Sequence, residues 1–175
     1  MVTTTARTGT RLEGTEPVAV GAASLRASTM AGLDNLFADL DATEVHELGG
    51  VLKGEVVATF VDALLGKAIG RAVVAMASSH LSPWTGKQFE GRSGANMWLT
   101  ASGRITLGSF RVRESVGLDG LGEVLLLDYD VPENVPPLRR VVGEVKRVGP
   151  GLHLGRMSVR WASGPSAVLY FVLEA

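Results

Sequence analysis

The chain of 175 residues contains no cysteine, which excludes disulfides, thiolate zinc sites and a thiol nucleophile. Neither sign of charge is in excess, since 17 basic residues stand against 18 acidic ones. The electrostatic footprint of a nucleic-acid binder is therefore missing, and no nucleic-acid partner is expected. No run of about 18 apolar residues reads as a membrane span. The longest candidate, Phe60 to Ala77, is broken by Asp62, Lys67 and Arg71. Met1 to Ala22 is rich in Thr, Gly and Ala and lacks the apolar centre of a signal peptide. G-x-G-x-x-G after a strand, a P-loop, H-E-x-x-H and G-x-S-x-G are all absent. Three histidines without cysteine do not suggest a structural transition-metal site. The expectation is a soluble, cytoplasmic protein with no nucleotide cofactor and no metal.

What is present is apolar residues and glycine. The hydrophobic fraction is 46%, with 22 glycines, enough for one domain with a sizeable core and many turns. Residues 1–22 read as a flexible tail or a lid, and residues 23–175 as a single domain. From Leu25 to Leu40 the apolar positions Met30, Leu33, Leu36, Phe37 and Leu40 approach helical spacing. Thr43 is a plausible N-cap for a short turn that Gly49 stops. Val51–Ala58 is ambiguous between strand and helix. Phe60, Leu64, Ala68, Ala72 and Val73 share one face and predict a second helix over Phe60–Ser78, ended by Ser82-Pro83.

After Trp84 the period changes. Short apolar or alternating runs lie near Lys87–Glu90, Ala95–Thr100, Ile105–Ser115, Glu123–Asp130, Arg139–Val148, Leu152–Trp161 and Ala167–Glu174, separated by Gly-, Ser- and Pro-rich breaks. Strands at this spacing predict an antiparallel meander, and closing it removes unpaired edges. The expected fold is α+β: N-terminal helices, then a β-barrel of about seven to eight strands. The helices would cover one barrel mouth or one exposed face.

Alternation along each strand assigns candidate residues to faces. Asp128 sits in a strand apolar on both faces, either as a satisfied carboxylate or as an acid–base group; Tyr129 lies on the opposite face. Arg140 and Glu144 share a face that is either solvated or aimed together into the cavity. His153, Gly155, Met157, Val159 and Trp161 share the likelier core face of Leu152–Trp161. His153 is there as a structural group or, with its ordinary pKa near 6.5, a catalytic one. His46 and His80 lie near the ends of predicted helical elements and rank lower. Trp84 and Phe89 are expected to pack together. Lys87 would run its stem along a wall to place its ammonium at the rim, or be plain surface. Asn96 and Trp98 share a face as pocket lining or core. Tyr170 offers a hydroxyl to the same interior.

Trp84-x-Gly86-Lys87-x-Phe89, Asp128-Tyr129, Arg139-Arg140, Leu154-Gly155-x-Met157 and Tyr170-Phe171 together resemble the GXWXG/DUF4334 family of uncharacterised bacterial proteins. Gly50-Val51-Leu52-Lys53-Gly54 stands where that family has its G-x-W-x-G element, with Leu52 in place of Trp. The resemblance covers roughly residues 33–175. It implies a lipocalin-like barrel with N-terminal helices and carries over no activity.

Three functions fit these observations. One is a cofactor-free enzyme that isomerises or cyclises a largely apolar small molecule, with Asp128, Glu144 and His153 as catalytic candidates. In that case Trp84, Lys87, Asn96, Trp98, Tyr129, Arg140, Met157 and Tyr170 would line the substrate site. The second is a carrier of a fatty-acid-like or polyketide-like ligand, with Arg140 or Lys87 pairing an acidic head. The third is a barrel filled by its own side chains. A small hydrophobic molecule is the expected partner, and a homodimer is left open.

Overall fold

A computed structural model describes residues 21–59, 83–120 and 122–175. The helix expected over Phe60–Ser78, His80, and all but the end of the expected tail lie outside the described residues. Among the described residues, nine strands follow two short α-helices. The helices are α1 (Ala22–Ala27) and α2 (Met30–Asp39). The strands are β1 (Asp41–Ala42), β2 (Gly50–Thr59), β3 (Trp84–Glu90), β4 (Ser93–Thr100) and β5 (Gly103–Val116). They continue with β6 (Glu123–Asp128), β7 (Val141–Gly149), β8 (Leu152–Trp161) and β9 (Gly164–Glu174). All pairings are antiparallel. β2 to β9 run as neighbours except that β9 pairs both β8 and β2, which closes an eight-strand barrel. β1 is the extra strand: it takes the β6 side of β7 at Lys146 and Arg147, just past where β6 ends its pairing at Val145.

The described chain is thus mostly β rather than α+β. The stretch read as one helix from Leu25 is two, because Ser28 and Thr29 are extended and Thr29 restarts the helix as N-cap, its hydroxyl accepting from Gly32 N–H at 3.2 Å. The short turn after it is a 3₁₀ helix over Val45–Glu47, capped by Glu44 rather than Thr43. Among the described residues no helix is long and apolar enough to cross a membrane.

The barrel wall is covered on both sides. Inside lie Leu52, Phe89, Phe110, Val112, Leu125, Leu127, Tyr129, Val145, Phe171 and Leu173. Outside, Val124, Leu126, Val142, Leu154, Tyr170 and Val172 pack beneath Leu25, Leu33 and Phe37 of the helices. Helices α1 and α2 therefore cover one outer face of the wall. Eight strands leave a lumen that side chains can fill, and at Gly155 the fit is tight: a Cβ there would clash with the Phe171 ring. Val45 of the 3₁₀ helix and Leu48 just after it pack onto the interior at the lower end. At the upper end Trp84, Leu138, Val141, Met157 and Leu169 are only half-buried.

Candidate functional site

Lys87 is fully buried, against the expectation of an ammonium at the rim or on the surface. Its side chain enters the lumen from β3. Its Nζ donates to Asn96 Oδ1 of β4 and to the Tyr129 hydroxyl at the end of β6, each at 2.6 Å. Tyr129 in turn donates to Asn96 Oδ1 at 3.1 Å. Aromatic faces enclose the rest: Nζ lies 5.0 Å from the Phe171 ring centroid, 5.1 Å from Phe110, 5.3 Å from Tyr129 and 5.5 Å from Trp84. Among the described residues no carboxylate pairs with it.

These contacts follow from two irregularities. Trp84 and Lys87 are three residues apart, so a regular strand would set them on opposite faces. A register shift between Trp84 and Gly86 brings both inward. Trp84 then meets Phe171 edge-on at 5.8 Å, while Phe89 packs on Phe110 instead. The second shift, opposite Ala95 and Asn96, leaves Gly108 as the extra residue of β5 at φ +83°. A Cβ on Gly108 would stand 3.0 Å from Asn96 Nδ2 and 3.6 Å from the Tyr129 ring, so glycine gives the carboxamide its space. Asn134 holds Tyr129 in turn. Its Nδ2 donates to the carbonyls of Tyr129 at 2.8 Å and Ser109 at 2.7 Å, and its Oδ1 accepts from Ser109 N–H at 3.1 Å. The sequence reading missed Asn134. Its only local signal is an Asn amid prolines and turn residues.

Burial alone lowers the Lys87 pKa from its ordinary value to about 7. Burial also holds the Tyr129 phenol well above its ordinary value, against a smaller opposing effect of the hydrogen bond with Asn96. Lys87 is therefore poised between amine and ammonium near neutrality, and Tyr129 stays a proton donor. The triad can exchange a proton, attack an electrophile or hold an anion.

The other candidates are placed elsewhere. Glu144 is fully buried but faces the outer wall, where Oε2 accepts from Arg156 Nε at 3.0 Å and Oε1 from Leu118 N–H at 2.8 Å. Arg140 does not join it, for it is exposed in a 3₁₀ turn over Leu138–Arg140 before the strand begins. Tyr170 also faces out, donating to Asp34 of α2 at 2.7 Å, because its neighbour Phe171 takes the lumen. Trp98 is half-buried, its indole N–H donating to the Leu107 carbonyl at 3.0 Å, and it is not one of the rings around Lys87. Met157 lines the upper lumen. His153 is buried at the lower end, with Nδ1 3.0 Å from the Thr43 hydroxyl. Burial lowers its pKa, Glu47 raises it and Arg147 lowers it. Among the described residues no group of three or more His, Cys, Asp or Glu is arranged to hold a metal.

Asp128 also points away from the lumen. Burial raises its pKa, but the Arg160 hydrogen bond at 2.9 Å, the Asp130 N–H and the charges of Arg160 and Arg113 outweigh that and lower it overall. Asp128→Asn should cost about 1 kcal/mol in urea unfolding at pH 7, as a partly exposed ion pair does. The sign follows from the lowered folded value: the contribution is complete above the ordinary value of 3.8 and fades as pH falls below it. A wild-type advantage that persists unchanged through this acid range contradicts the assignment.

No family model matches the chain, and no curated protein matches it. A crystal structure of a protein from Thermomonospora curvata is similar over 84% of this chain and 87% of that one, at 18% identity and a TM-score of 0.54. At that identity the likeness shows a shared fold.

Proposed function

We propose that the protein is a small-molecule enzyme that needs no cofactor, taking a largely apolar substrate at the upper lumen and moving a proton with Lys87. The observation that carries this is a fully buried lysine bonded to Asn96 and Tyr129 with no carboxylate beside it among the described residues. A base with a pKa near the working pH combines adequate basicity with a useful unprotonated fraction. Isomerisation of a β,γ-unsaturated ketone is a reaction of the expected class. Lys87 takes the proton between the carbonyl and the double bond and returns it at the far carbon, while the Tyr129 hydroxyl bonds the enolate oxygen. The lipocalin-like barrel implied by the GXWXG resemblance suits an apolar guest. The site therefore moves from the carboxylates Asp128 and Glu144 to a lysine.

The probe is a β,γ-unsaturated cyclohexenone, whose conjugation is followed by ultraviolet absorbance. Turnover should rise as pH passes about 7 and Lys87 loses its proton, and should vanish in Lys87→Met. Absence of turnover at every pH refutes the enzyme. A second reading, a carrier, is favoured by the lack of a counter-ion at Lys87 among the described residues. Dodecanoate bound by the wild type and lost in Lys87→Met, without turnover of the ketone, is its signature.

A further inference from the structure

The geometry points to imine chemistry: Lys87 condenses with the carbonyl carbon of an apolar aldehyde or ketone seated against Trp84, Phe110 and Phe171, and Tyr129 serves the departing oxygen. This names a substrate class for the site proposed above and rests on that reading.

A neutral primary amine has two N–H bonds and one lone pair. The two acceptors at 2.6 Å, Asn96 Oδ1 and the Tyr129 hydroxyl, take both N–H bonds. The lone pair is then the one direction on Nζ without a hydrogen-bond partner among the described residues, and the carbonyl compound reaches it past the ring faces. A lysine desolvated in an apolar pocket is an activated nucleophile for carbonyl carbon. Among the described residues, the groups facing Nζ are Trp84 from β3, Asn96 from β4, Phe110 from β5, Tyr129 beyond β6 and Phe171 from β9. Of these only Tyr129 titrates, and it stays protonated. Free amine is therefore plentiful at pH 7, whereas an ordinary lysine is free in roughly one molecule in 3,000.

The step balances without oxidant or reductant. Nζ bonds to the carbonyl carbon, giving a carbinolamine. The carbon–oxygen bond then breaks, and the oxygen leaves as water with both amine protons. Tyr129 delivers one proton to the oxygen and recovers it from nitrogen. Its hydroxyl, 2.6 Å from Nζ, is within reach of an oxygen on the carbon that Nζ attacks. The cationic form of the imine meets the same ring faces that now surround the ammonium.

The test is reductive trapping of the full chain with decanal and cyanoborohydride at pH 7, read by intact mass and peptide mapping. The chain has four lysines, Lys53, Lys67, Lys87 and Lys146, and exposed Lys53 is the internal reference. Beside labelling of the α-amino group, which peptide mapping separates, an adduct should form on Lys87 at least about tenfold faster than on Lys53, a modest share of the roughly thousandfold difference in free amine. Lys87→Met should abolish it. Tyr129→Phe should keep the adduct on Lys87 but slow it by about a hundredfold, the scale of one general acid. Equal labelling of Lys53 and Lys87 overturns the proposal. So does an unlabelled Lys87 in a protein that still isomerises the cyclohexenone, which leaves the proton-transfer reading standing. An unlabelled Lys87 with neither turnover nor dodecanoate binding overturns both.

Discussion

Lys87→Met should be more stable than the wild type by about 3 kcal/mol at pH 6 and less stable by about 2 kcal/mol near pH 10.5. A pKa lowered from 10.5 to about 7 in a fully buried side chain means that burying the ammonium costs on the order of 5 kcal/mol. Methionine fills the same elongated space without charge. Against that gain stand two lost hydrogen bonds, together about 2 kcal/mol. Asn96 Oδ1 keeps Tyr129 as a donor, so the loss stops there. The unfolded chain protonates Lys87 below about 10.5 and the folded chain only below about 7. Between these values the unfolded state holds more protons, so wild-type stability rises with pH. Below about 7 the cost is constant. Urea titrations of both proteins across this range cancel every other group, and the difference must change sign inside the window. A difference that stays flat would mean that Lys87 reaches water.

The strand pattern was legible because turn chemistry marks it. Leu152–Trp161 is a strand from end to end as read, and Gly151 and Gly164 beside it have φ +66° and +111°, as tight hairpin connections need. Which face of a strand looks inward was harder. Alternation separates two faces but names neither when helices cover the outside and side chains fill the inside. In β7 the set Val142, Glu144 and Lys146 reads as solvent or cavity because it holds charge. It is in fact the side buried under α2, while Val141, Gly143 and Val145 take the lumen. Tyr170 reads as interior for the same reason, although its neighbour Phe171 takes the lumen.

The site itself was only half legible. Sequence alone marks Lys87, Asn96, Tyr129 and Trp84 as separate residues with modest roles and puts the chemistry at Asp128, Glu144 and His153. A lysine in a strand ordinarily signals an edge or a surface. Two things invert that here, and neither is a local pattern. One is the register shift that turns Trp84 inward beside Lys87. The other is the closure of β9 onto β2, which brings Phe171 across from a strand some eighty residues earlier. Burial of the ammonium is a property of the closed barrel, so no window of sequence contains it.

Glu144→Ala should cost about 3–5 kcal/mol, the usual result of removing one partner of a buried ion pair. Glu144 has no exposed side-chain surface and Arg156 only 12%. Burial works against the Arg156 charge, but bonds and charges from Glu144 and Asp119 outweigh it and raise its pKa. Its guanidinium lies 4.6 Å from the Phe37 ring centroid, with Lys146 Nζ 5.4 Å from the same ring. Without Glu144, two cations crowd the Phe37 ring, and partly exposed Asp119, 2.7 Å from Arg156, is left as the carboxylate paired with that guanidinium among the described residues. The Leu118 N–H also loses its acceptor. Glu144→Leu combined with Arg156→Leu removes both charges and should return to within about 1 kcal/mol of the wild type, since an apolar replacement of a buried pair is often neutral. The ion pair then serves to fix how α2 sits on the wall, together with the bond from Tyr170 to Asp34, and adds little net stability. Urea midpoints of the wild type and these two variants decide the matter. If the double variant is as damaged as Glu144→Ala, the pair itself supplies the stability and that division of labour is wrong.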